Sequence, residues 1–378
     1  MIVTIDGTDL LYGERAVRRH VMNLIRLAGA FDEGIDYRVF LSRFHAPGGE
    51  VPEPRPGLEV RSFRCPGRLF QLLSTRLGLL TVDRIAGRTD LYHAAGSNLF
   101  ACRARHYLYT VGGFSTFVRP DLLPAAYVAR MQGAFRSAFR RITHFVAVSE
   151  TTRREVLERF PIEPGRVTAI PLGIDREFRP LDPAGCEGPL RERLGVRRPY
   201  ALYVGGIQRN KNIALLLDAF ARAARGALDR HTLVLVGPRP WPDAEIDAAL
   251  ARPDLAGRVV LAGQRSGEEL VRLYAAADLF VFPTLYEGWT SPPLEAMACG
   301  IPVVASRASS VPETVGDAAL LVDPLDAADV ARGMERLVED ATLRAALRER
   351  GFARAAEFPW ERCIGATVDL YRRLIAGG

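Results

Sequence analysis

The sequence contains almost no lysine: Lys211 is the only one among 50 basic residues, and the other 49 are arginine. A replacement on this scale is typical of a GC-rich genome and indicates nothing about the fold. The one position that keeps a lysine is informative, because it favours a site that needs a compact ammonium and not a planar guanidinium.

Cysteine pairs are also missing. The five cysteines include no Cys-x-x-Cys motif, and their odd number and long spacings predict reduced thiols in a cytoplasmic protein. His20, His106 and His144 show no metal-ligand spacing, so the sequence predicts no metal site.

Long apolar runs are absent as well. No uncharged apolar stretch approaches the roughly 20 residues that a membrane span needs, and the N-terminal residues show no secretory signal pattern. The net charge of +6 suits an acidic ligand, an anionic membrane or nucleic acid. The arginines are dispersed and no nucleic-acid-binding motif is present, so we expect no nucleic-acid partner.

A chain of 378 residues with 48% hydrophobic content is long enough for two domains. Short β-branched runs alternate with longer amphipathic segments, which predicts α/β architecture with parallel sheets. The predicted strands are 1–5, 36–41, 91–93, 106–111, 144–148, 167–170, 200–204, 232–236, 258–261, 279–281, 302–305 and 319–322. The predicted helices are 15–28, 149–159, 212–225, 267–276, 292–299 and 326–350.

We divide the chain into an N-terminal domain (1–178), a Pro- and Gly-rich linker (179–199) and a C-terminal domain (200–357). A final helix within 358–378 is expected to pack back on the first domain. Two doubly wound domains in sequence create a cleft at the carboxyl ends of their strands, and such clefts bind nucleotides.

The first candidate motif follows the strand 200–204. Gly205 and Gly206 allow close approach of the backbone to a ligand. Arg209 and Lys211 come next, at the carboxyl end of the strand, where an anion would bind. The alternative is that both are solvated loop charges.

The second motif runs from Phe282 to Ser306. Two carboxylates, Glu287 and Glu295, are separated by seven residues around a helix that is predicted to begin near Pro292. A helix N-terminus with free N–H groups suits a diphosphate, and the carboxylates could accept hydrogen bonds from sugar hydroxyls. The alternative is that Glu295 only interacts with the helix dipole and that Glu287 is a surface charge of the loop.

Together these stretches resemble the retaining glycosyltransferases of family 4, with Glu287 and Glu295 as the E-x7-E element. Val146–Phe160, Val167–Asp175 and Ser309–Pro324 are similar to the family too. The resemblance implies the GT-B fold, in which two Rossmann-like doubly wound α/β domains face each other across a cleft. It also implies transfer of a hexose from a UDP- or GDP-sugar to a glycan or lipid-linked acceptor in polysaccharide or glycoconjugate biosynthesis.

By this resemblance Arg209 and Lys211 neutralise the diphosphate in place of a metal, and no cofactor is needed. Glu287 contacts the donor sugar, and Glu295 holds the ribose. The catalytic candidates are Glu287, Arg209 and Lys211. The donor-binding candidates are Gly205, Gly206, Arg209, Lys211, Glu287, Gly288, Trp289, Thr290, Ser291, Pro292 and Glu295.

The N-terminal domain departs from the family pattern. Gly112 and Gly113 stand where a His-Asp pair is common in the family. Without this pair the site could accept a larger donor sugar, or the protein could have lost activity. The acceptor-side candidates are Gly13, Arg15, Arg19, His93, Gly112 and Gly113. A solvated helix face for the arginines and a structural role for His93 are the alternatives.

Two further functions stay open at this stage. One is a catalytically silent nucleotide-sugar-binding protein, and the other is a nucleotide-sugar epimerase. The basic segment Arg119–Arg141 predicts either a core-packed helix or peripheral contact with an anionic membrane. We expect a cytoplasmic location, with such contact at the inner face of the membrane.

Overall fold

The computed structural model describes residues 1–13, 15–31, 34–43 and 51–377. The chain forms two compact units. Unit 1 comprises Met1–Gly173 and Trp360–Gly378, and unit 2 comprises Ile174–Pro359. Unit 2 is thus inserted near the C-terminal end of unit 1.

Unit 1 has a seven-stranded parallel sheet with the order β3-β2-β1-β4-β5-β6-β7. Its strands are β1 (Ile2–Asp6), β2 (Asp36–Arg43), β3 (Leu58–Arg64), β4 (Leu91–Ala94), β5 (His106–Val111), β6 (His144–Ala147) and β7 (Val167–Ala169). Its first helices are α1 (Asp9–Tyr12), α2 (Arg15–Phe31), α3 (Gly67–Gln71), α4 (Val82–Ala86), α5 (Ser115–Val118), α6 (Ala125–Ala138) and α7 (Glu150–Arg159).

Unit 2 has a six-stranded parallel sheet with the order β10-β9-β8-β11-β12-β13. Its strands are β8 (Tyr200–Val204), β9 (Thr232–Val236), β10 (Val259–Gly263), β11 (Leu279–Phe282), β12 (Val303–Ser306) and β13 (Leu320–Val322). Its helices are α8 (Pro183–Leu194), α9 (Ile213–Ala223), α10 (Ala244–Leu250), α11 (Gly267–Ala275), α12 (Ser291–Ala298), α13 (Val311–Val315), α14 (Ala327–Glu339) and α15 (Ala341–Ala356). The chain ends in α16 (Trp360–Ala376).

These two doubly wound parallel α/β units confirm the predicted fold class. Each predicted strand is present, because runs such as β6 and β8 are buried along their whole length and need apolar side chains on both faces. On α2, the apolar stripe Val21, Leu24 and Ile25 is buried as predicted. Ser149 caps α7 by accepting a hydrogen bond from the Thr152 N–H at 3.0 Å.

Strand β3 was missed in the sequence. It lies at the edge of the sheet, beside β2. Its residues alternate charged and apolar side chains, and most of them are partly or fully exposed. An edge strand of this kind has no continuous apolar run to reveal it.

The predicted linker 179–199 was wrong. It holds helix α8, which belongs to unit 2 and packs against α11. Asp182 caps its start by accepting the Ala184 N–H, and Gly195 ends it with a left-handed φ of 67°. The Pro and Gly residues here therefore begin and end a helix. The predicted helix 326–350 is likewise two helices, because Asp340 leaves the helical conformation and caps α15.

The C-terminal helix α16 is held in unit 1 by two buried histidines. His93 is hydrogen-bonded through Nδ1 to the Tyr371 hydroxyl at 2.5 Å and through Nε2 to Thr110 at 2.7 Å. The His20 ring stacks on Trp360 with a centroid distance of 6.2 Å. Burial lowers the pKa of His93 to about 3 and that of His20 to about 4, so both rings are neutral in the folded protein.

Acid should destabilise unit 1 through these rings. The unfolded chain takes up their protons near the ordinary pKa of 6.5, whereas the folded chain does so only near 3 and 4. The stability that they contribute is complete above pH 6.5 and is lost as the pH falls toward 4. The pKa of Asp6 is raised to about 7, so Asp6 favours the folded protein as the pH falls. It therefore acts against the destabilisation that the two histidines cause.

We expect the thermal unfolding midpoint to drop between pH 7 and pH 4.5, and to drop less in His93→Gln, which lacks one of the titrating rings. The midpoints are measured by circular dichroism at matched ionic strength. An equal drop in both proteins would show that His93 does not carry this pH dependence.

Candidate functional site

Unit 2 brings two of its loops together at the carboxyl edge of the sheet. β8 and β11 are neighbours, yet the strands that follow them extend the sheet in opposite directions. Such a reversal opens a crevice beyond the strand ends, which is where open α/β sheets bind ligands. The loop after β8 carries Lys211, and the loop after β11 carries Glu287.

Lys211 and Glu287 form an ion pair, with Nζ donating to Oε1. The Thr284 hydroxyl lies 3.1 Å from the same carboxylate oxygen and 3.0 Å from the main-chain oxygen of Asn210. The side chains of Lys211 and Glu287 are 17% and 11% exposed. The pair is thus largely withdrawn from water, where charge interactions are stronger.

The main chain of Glu287 is fixed by two serines that follow β12. Its N–H donates to Ser309 Oγ at 3.1 Å, and its carbonyl accepts from Ser309 and from Ser310, the latter at 3.0 Å. Ser309 adopts a left-handed conformation with a φ of 56°. Strain of this kind is found where the surrounding structure overdetermines a functional position.

Asn212 fixes the lysine side of the site. It adopts a left-handed φ of 62° at the start of α9. Its amide nitrogen donates to the carbonyl of Pro283 at 3.0 Å and to that of Pro324 at 2.6 Å. The turn that presents Lys211 is therefore tied to the ends of β11 and β13.

Gly205 and Gly206 follow β8 and lie against the chain that follows β9. The Gly205 N–H donates to the carbonyl of Val236 at 2.8 Å. A Cβ on Gly237 would lie 1.9 Å from the Gly205 carbonyl oxygen, and one on Gly205 would lie 2.4 Å from the Tyr203 hydroxyl. Contacts within the protein therefore require glycine here, in addition to any approach to a ligand.

Arg209 does not join the Lys211–Glu287 pair. Its guanidinium donates to both carboxylate oxygens of Asp243, from Nε at 3.2 Å and from Nη2 at 3.4 Å, and its side chain is 51% exposed. Burial opposes the effect, but the hydrogen bond from Arg209 holds the pKa of Asp243 below its ordinary value. Contact with an anion at Lys211 would require Arg209 to exchange its partner.

Two prolines in the first turn of helix α12 limit its free N–H donors. It begins at Ser291, and Thr290 occupies the N-cap position without a side-chain capping bond. Pro292 and Pro293 have no N–H group, which removes two of the four donors that a first helical turn leaves free. This helix start therefore keeps fewer free N–H groups than one without proline, and its part in diphosphate binding stays a prediction.

Polar atoms without partners collect in the same loops. Thr290 Oγ1, Trp289 Nε1 and Asn210 Oδ1 are buried and have no hydrogen-bond partner within the described residues. The Trp289 ring packs edge-on against Phe358 at 5.1 Å, and Thr290 is fully buried. Because buried polar groups are almost always satisfied in folded proteins, these atoms indicate groups that a ligand or water completes.

Glu295 lies inside unit 2 on α12, with 3% of its surface exposed. Its Oε2 accepts a hydrogen bond from the Tyr274 hydroxyl at 2.8 Å. This contact orients the carboxylate but does not test the predicted ribose contact. Gly288 links Glu287 to Trp289 in the loop before α12.

In unit 1, three acceptor-side candidates lie near the start of α2. The Gly13 N–H donates to the Asp9 carbonyl at 2.7 Å, and a Cβ at Gly13 would lie 2.6 Å from that oxygen. Arg15 and Arg19 are one turn apart on α2 and half-buried. The structure thus keeps both arginines partly accessible.

His93 is fully buried and has both ring nitrogens hydrogen-bonded, which favours the structural alternative over an acceptor-side role. Gly112 is exposed after β5, with open space around its Cβ position, and Gly113 is half-buried. The pair therefore leaves room at the carboxyl end of the sheet.

Asp6, at the end of β1, was not predicted from the sequence. Burial and the nearby charge of Asp9 raise the pKa of Asp6 to about 7. It accepts from the Thr8 N–H at 2.9 Å and from the Tyr92 hydroxyl at 3.3 Å. A carboxylate that closes an apolar strand was the available signal. Thr284, Ser309, Ser310, Asn212 and Asp243 were also missed as partners of the candidates.

Among the residues that the structure describes, no group of three or more His, Cys, Asp or Glu side chains could hold a metal ion. Within the same residues, none of the helices combines the length and the apolar character that crossing a bilayer demands.

Two family models match the chain. "Glycosyltransferase Family 4" matches residues 17–178, and "Glycosyl transferases group 1" matches residues 198–340. Each model falls mainly within one of the two units.

Curated relatives agree with these matches. O-antigen chain mannosyltransferase B of Escherichia coli is 33% identical over 285 residues, which cover 75% of this chain and 74% of the relative. D-inositol 3-phosphate glycosyltransferase of Salinispora tropica is 34% identical over 396 residues, with 93% of this chain and 79% of the relative covered.

Solved structures share the fold. A sucrose-phosphate synthase from Thermosynechococcus elongatus has a TM-score of 0.77 at 22% identity, with 100% of both chains covered. Anabaena HepE in complex with UDP has a TM-score of 0.71 at 21% identity, with 98% of both chains covered. The family models and the sequence similarity to the curated relatives show that the chain belongs to glycosyltransferase family 4. It is a glycosyltransferase of glycan biosynthesis.

Proposed function

We propose that this enzyme transfers a hexose, with retention of anomeric configuration, from a UDP- or GDP-sugar to a glycan or lipid-linked acceptor. The observation that carries the proposal is the ion pair of Lys211, the only lysine, with Glu287 at the reversal point of the unit 2 sheet. A cation at this crevice suits a diphosphate.

Lys211 would act on the leaving group. An ammonium has three donors, so Nζ can keep Glu287 and also reach a phosphate oxygen. In the transition state the bond between the anomeric carbon and the phosphate oxygen breaks, and its electron pair leaves with the nucleoside diphosphate. A fixed positive charge at that oxygen lowers the barrier without a metal. Arg209 would add a second charge by exchanging Asp243 for phosphate.

Glu287 would act on the sugar. Its Oε1 is held by Lys211 and Thr284, and its main chain by the two serines, so the carboxylate is positioned before a substrate arrives. The positive charge that develops on the sugar ring favours a nearby carboxylate. The acceptor hydroxyl then bonds to the anomeric carbon and passes its proton to the departing phosphate oxygen. We assign no protein nucleophile.

The remaining donor-binding groups would complete the pocket. We propose that Trp289, Thr290 and Ser291 replace the N–H donors that Pro292 and Pro293 lack. The E. coli relative's name specifies a mannosyltransferase, so mannosyl donors are the first to test. All five cysteines are buried free thiols, which fits the proposed cytoplasmic location.

Removing the ammonium should weaken nucleotide binding. In Lys211→Ala, we expect the dissociation constant of the preferred nucleotide among UDP, GDP and ADP to rise roughly 10- to 100-fold, because a hydrogen bond to a charged group is lost. Calorimetry in the presence of EDTA measures it. Arg222→Ala, on the exposed side of α9, is the control. Failure of the wild type to bind all three nucleotides would overturn the proposal.

Removing the carboxylate charge should stop turnover without stopping binding. Glu287→Gln keeps the shape of the side chain and is expected to reduce kcat by about 100-fold or more, since charge stabilisation in the transition state is lost. Release of nucleoside diphosphate is measured, with Glu268→Gln on α11 as a control. Binding without turnover in the wild type would favour the silent protein, and sugar interconversion without acceptor would favour the epimerase.

Thr290→Val should separate ligand binding from stability. The Thr290 hydroxyl has no partner among the residues that the structure describes, so its removal should leave the unfolding midpoint unchanged or raise it. The same change should weaken nucleotide-sugar binding by about 3- to 10-fold if the hydroxyl contacts the donor. Thr290→Ser, which keeps the hydroxyl, should bind normally. A lower midpoint with unchanged binding would assign the hydroxyl a structural role.

A further inference from the structure

The carboxyl edge of the unit 2 sheet carries a second ion pair beside that of Lys211 and Glu287. The guanidinium of Arg209 is paired with the carboxylate of Asp243. Arg209 follows β8, and Asp243 lies between α10 and β9, the strand next to β8. Each cation of the candidate phosphate site therefore has a carboxylate partner of its own, and the four charges sum to zero.

The two pairs differ in how firmly they are held. The side chains of Lys211 and Glu287 are 17% and 11% exposed, whereas that of Arg209 is 51% exposed. The hydrogen bonds from Arg209 to Asp243 measure 3.2 and 3.4 Å, which is long for bonds between charged groups. Because water reaches the guanidinium, this pair contributes little stability, and Arg209 can leave it at small cost.

Only the side chain of Arg209 needs to move. The Arg209 carbonyl accepts from the Asn212 N–H at 2.9 Å. The Lys211 N–H donates to the Gln208 carbonyl at 3.1 Å. The turn is thus closed by main-chain bonds, so a half-exposed guanidinium can change its partner by side-chain rotation while the turn keeps presenting Lys211.

Asp243 is fixed independently of Arg209. As the N-cap of α10, its Oδ1 accepts from the N–H groups of Glu245 at 3.1 Å and of Ile246 at 3.4 Å. The Asp243 carbonyl accepts from Nη2 of Arg239 at 3.2 Å. The carboxylate therefore keeps two hydrogen bonds and its position when Arg209 leaves, and it stays available to take the guanidinium back.

We propose that Asp243 is a positioning residue that competes with the diphosphate for Arg209. In the free enzyme Asp243 holds the guanidinium, and on donor binding a phosphate oxygen takes its place. After transfer, Asp243 recaptures Arg209 and promotes release of the nucleoside diphosphate. This role rests on the proposed function of the site, and it adds a limit on how tightly the product is held.

The strength of the pair sets the size of the effect. When a ligand needs a form of the protein that is only partly populated, its apparent dissociation constant rises in inverse proportion to the fraction of that form. An exposed ion pair populates its closed form about 2- to 5-fold over its open form. Asp243 should therefore raise the apparent dissociation constant of the nucleotide about 3- to 6-fold.

The test is calorimetry of UDP, GDP and ADP with the wild type and with Asp243→Asn. Asparagine caps a helix as well as aspartate does, so α10 is retained. The variant should bind the preferred nucleotide about 3- to 6-fold more tightly, and release of that nucleotide, measured by stopped flow, should slow by a similar factor. A structural defect would weaken binding, so tighter binding reports the competition.

Loss of a negative charge also tightens anion binding at long range, and two further variants separate that effect from competition. Glu245→Gln removes a carboxylate oxygen 4.0 Å from Nη2 of Arg209, which is beyond hydrogen-bond distance. It should change the dissociation constant by less than about twofold. Adding Asp243→Asn to Arg209→Ala should also have an effect below about twofold, because the side chain for which Asp243 competes is gone.

Equal or weaker nucleotide binding in a folded Asp243→Asn protein would overturn the role of Asp243 and leave the proposed transfer reaction standing. Equal tightening in the Arg209→Ala background would assign the effect to charge alone and would overturn the role as well. A wild type that binds none of the three nucleotides would overturn both the site and this role. Asp243→Ser, a second uncharged N-cap, should repeat the asparagine result and replaces it if that variant does not fold.

Discussion

The ion pair of Lys211 with Glu287 is the interaction around which unit 2 is organised. Its two members come from loops that are 76 residues apart in sequence. They meet because β8 and β11 are adjacent where the strand order reverses. Thr284, Asn212, Ser309 and Ser310 each fix one of the two loops by a hydrogen bond. A charged pair that is mostly shielded from water needs such support, since either charge alone would be costly to bury.

The same loops show how the chain adapts its helix terminus. Two consecutive prolines follow Ser291 in the first turn of α12, where they favour the helix start while removing two N–H donors. Thr290 and Trp289 place polar atoms in the same region without satisfying them internally. Buried groups without partners cost stability, so their presence beside the ion pair is understandable as preparation for a ligand. The Thr290 hydroxyl is then expected to lower the stability of the free protein and to strengthen binding of the ligand.

Unit 1 combines a similar sheet with different chemistry. Its reversal point between β1 and β4 carries Asp6 and Asp9 in place of a lysine, and neutral buried histidines hold α16 against the sheet.

The sequence by itself determined the strands, the α/β class, the family and most of the candidate residues, because buried parallel strands need continuous apolar runs and because the two motifs are local. It did not reveal β3, since an edge strand has no such run, or α8, since its Pro and Gly residues resemble those of a linker. Only the tertiary structure decided that Lys211 pairs with Glu287 while Arg209 pairs with Asp243. It also decided that His93 is buried. These outcomes depend on which side chains meet once the chain has folded. A local sequence pattern does not specify contacts between residues that are far apart in the sequence.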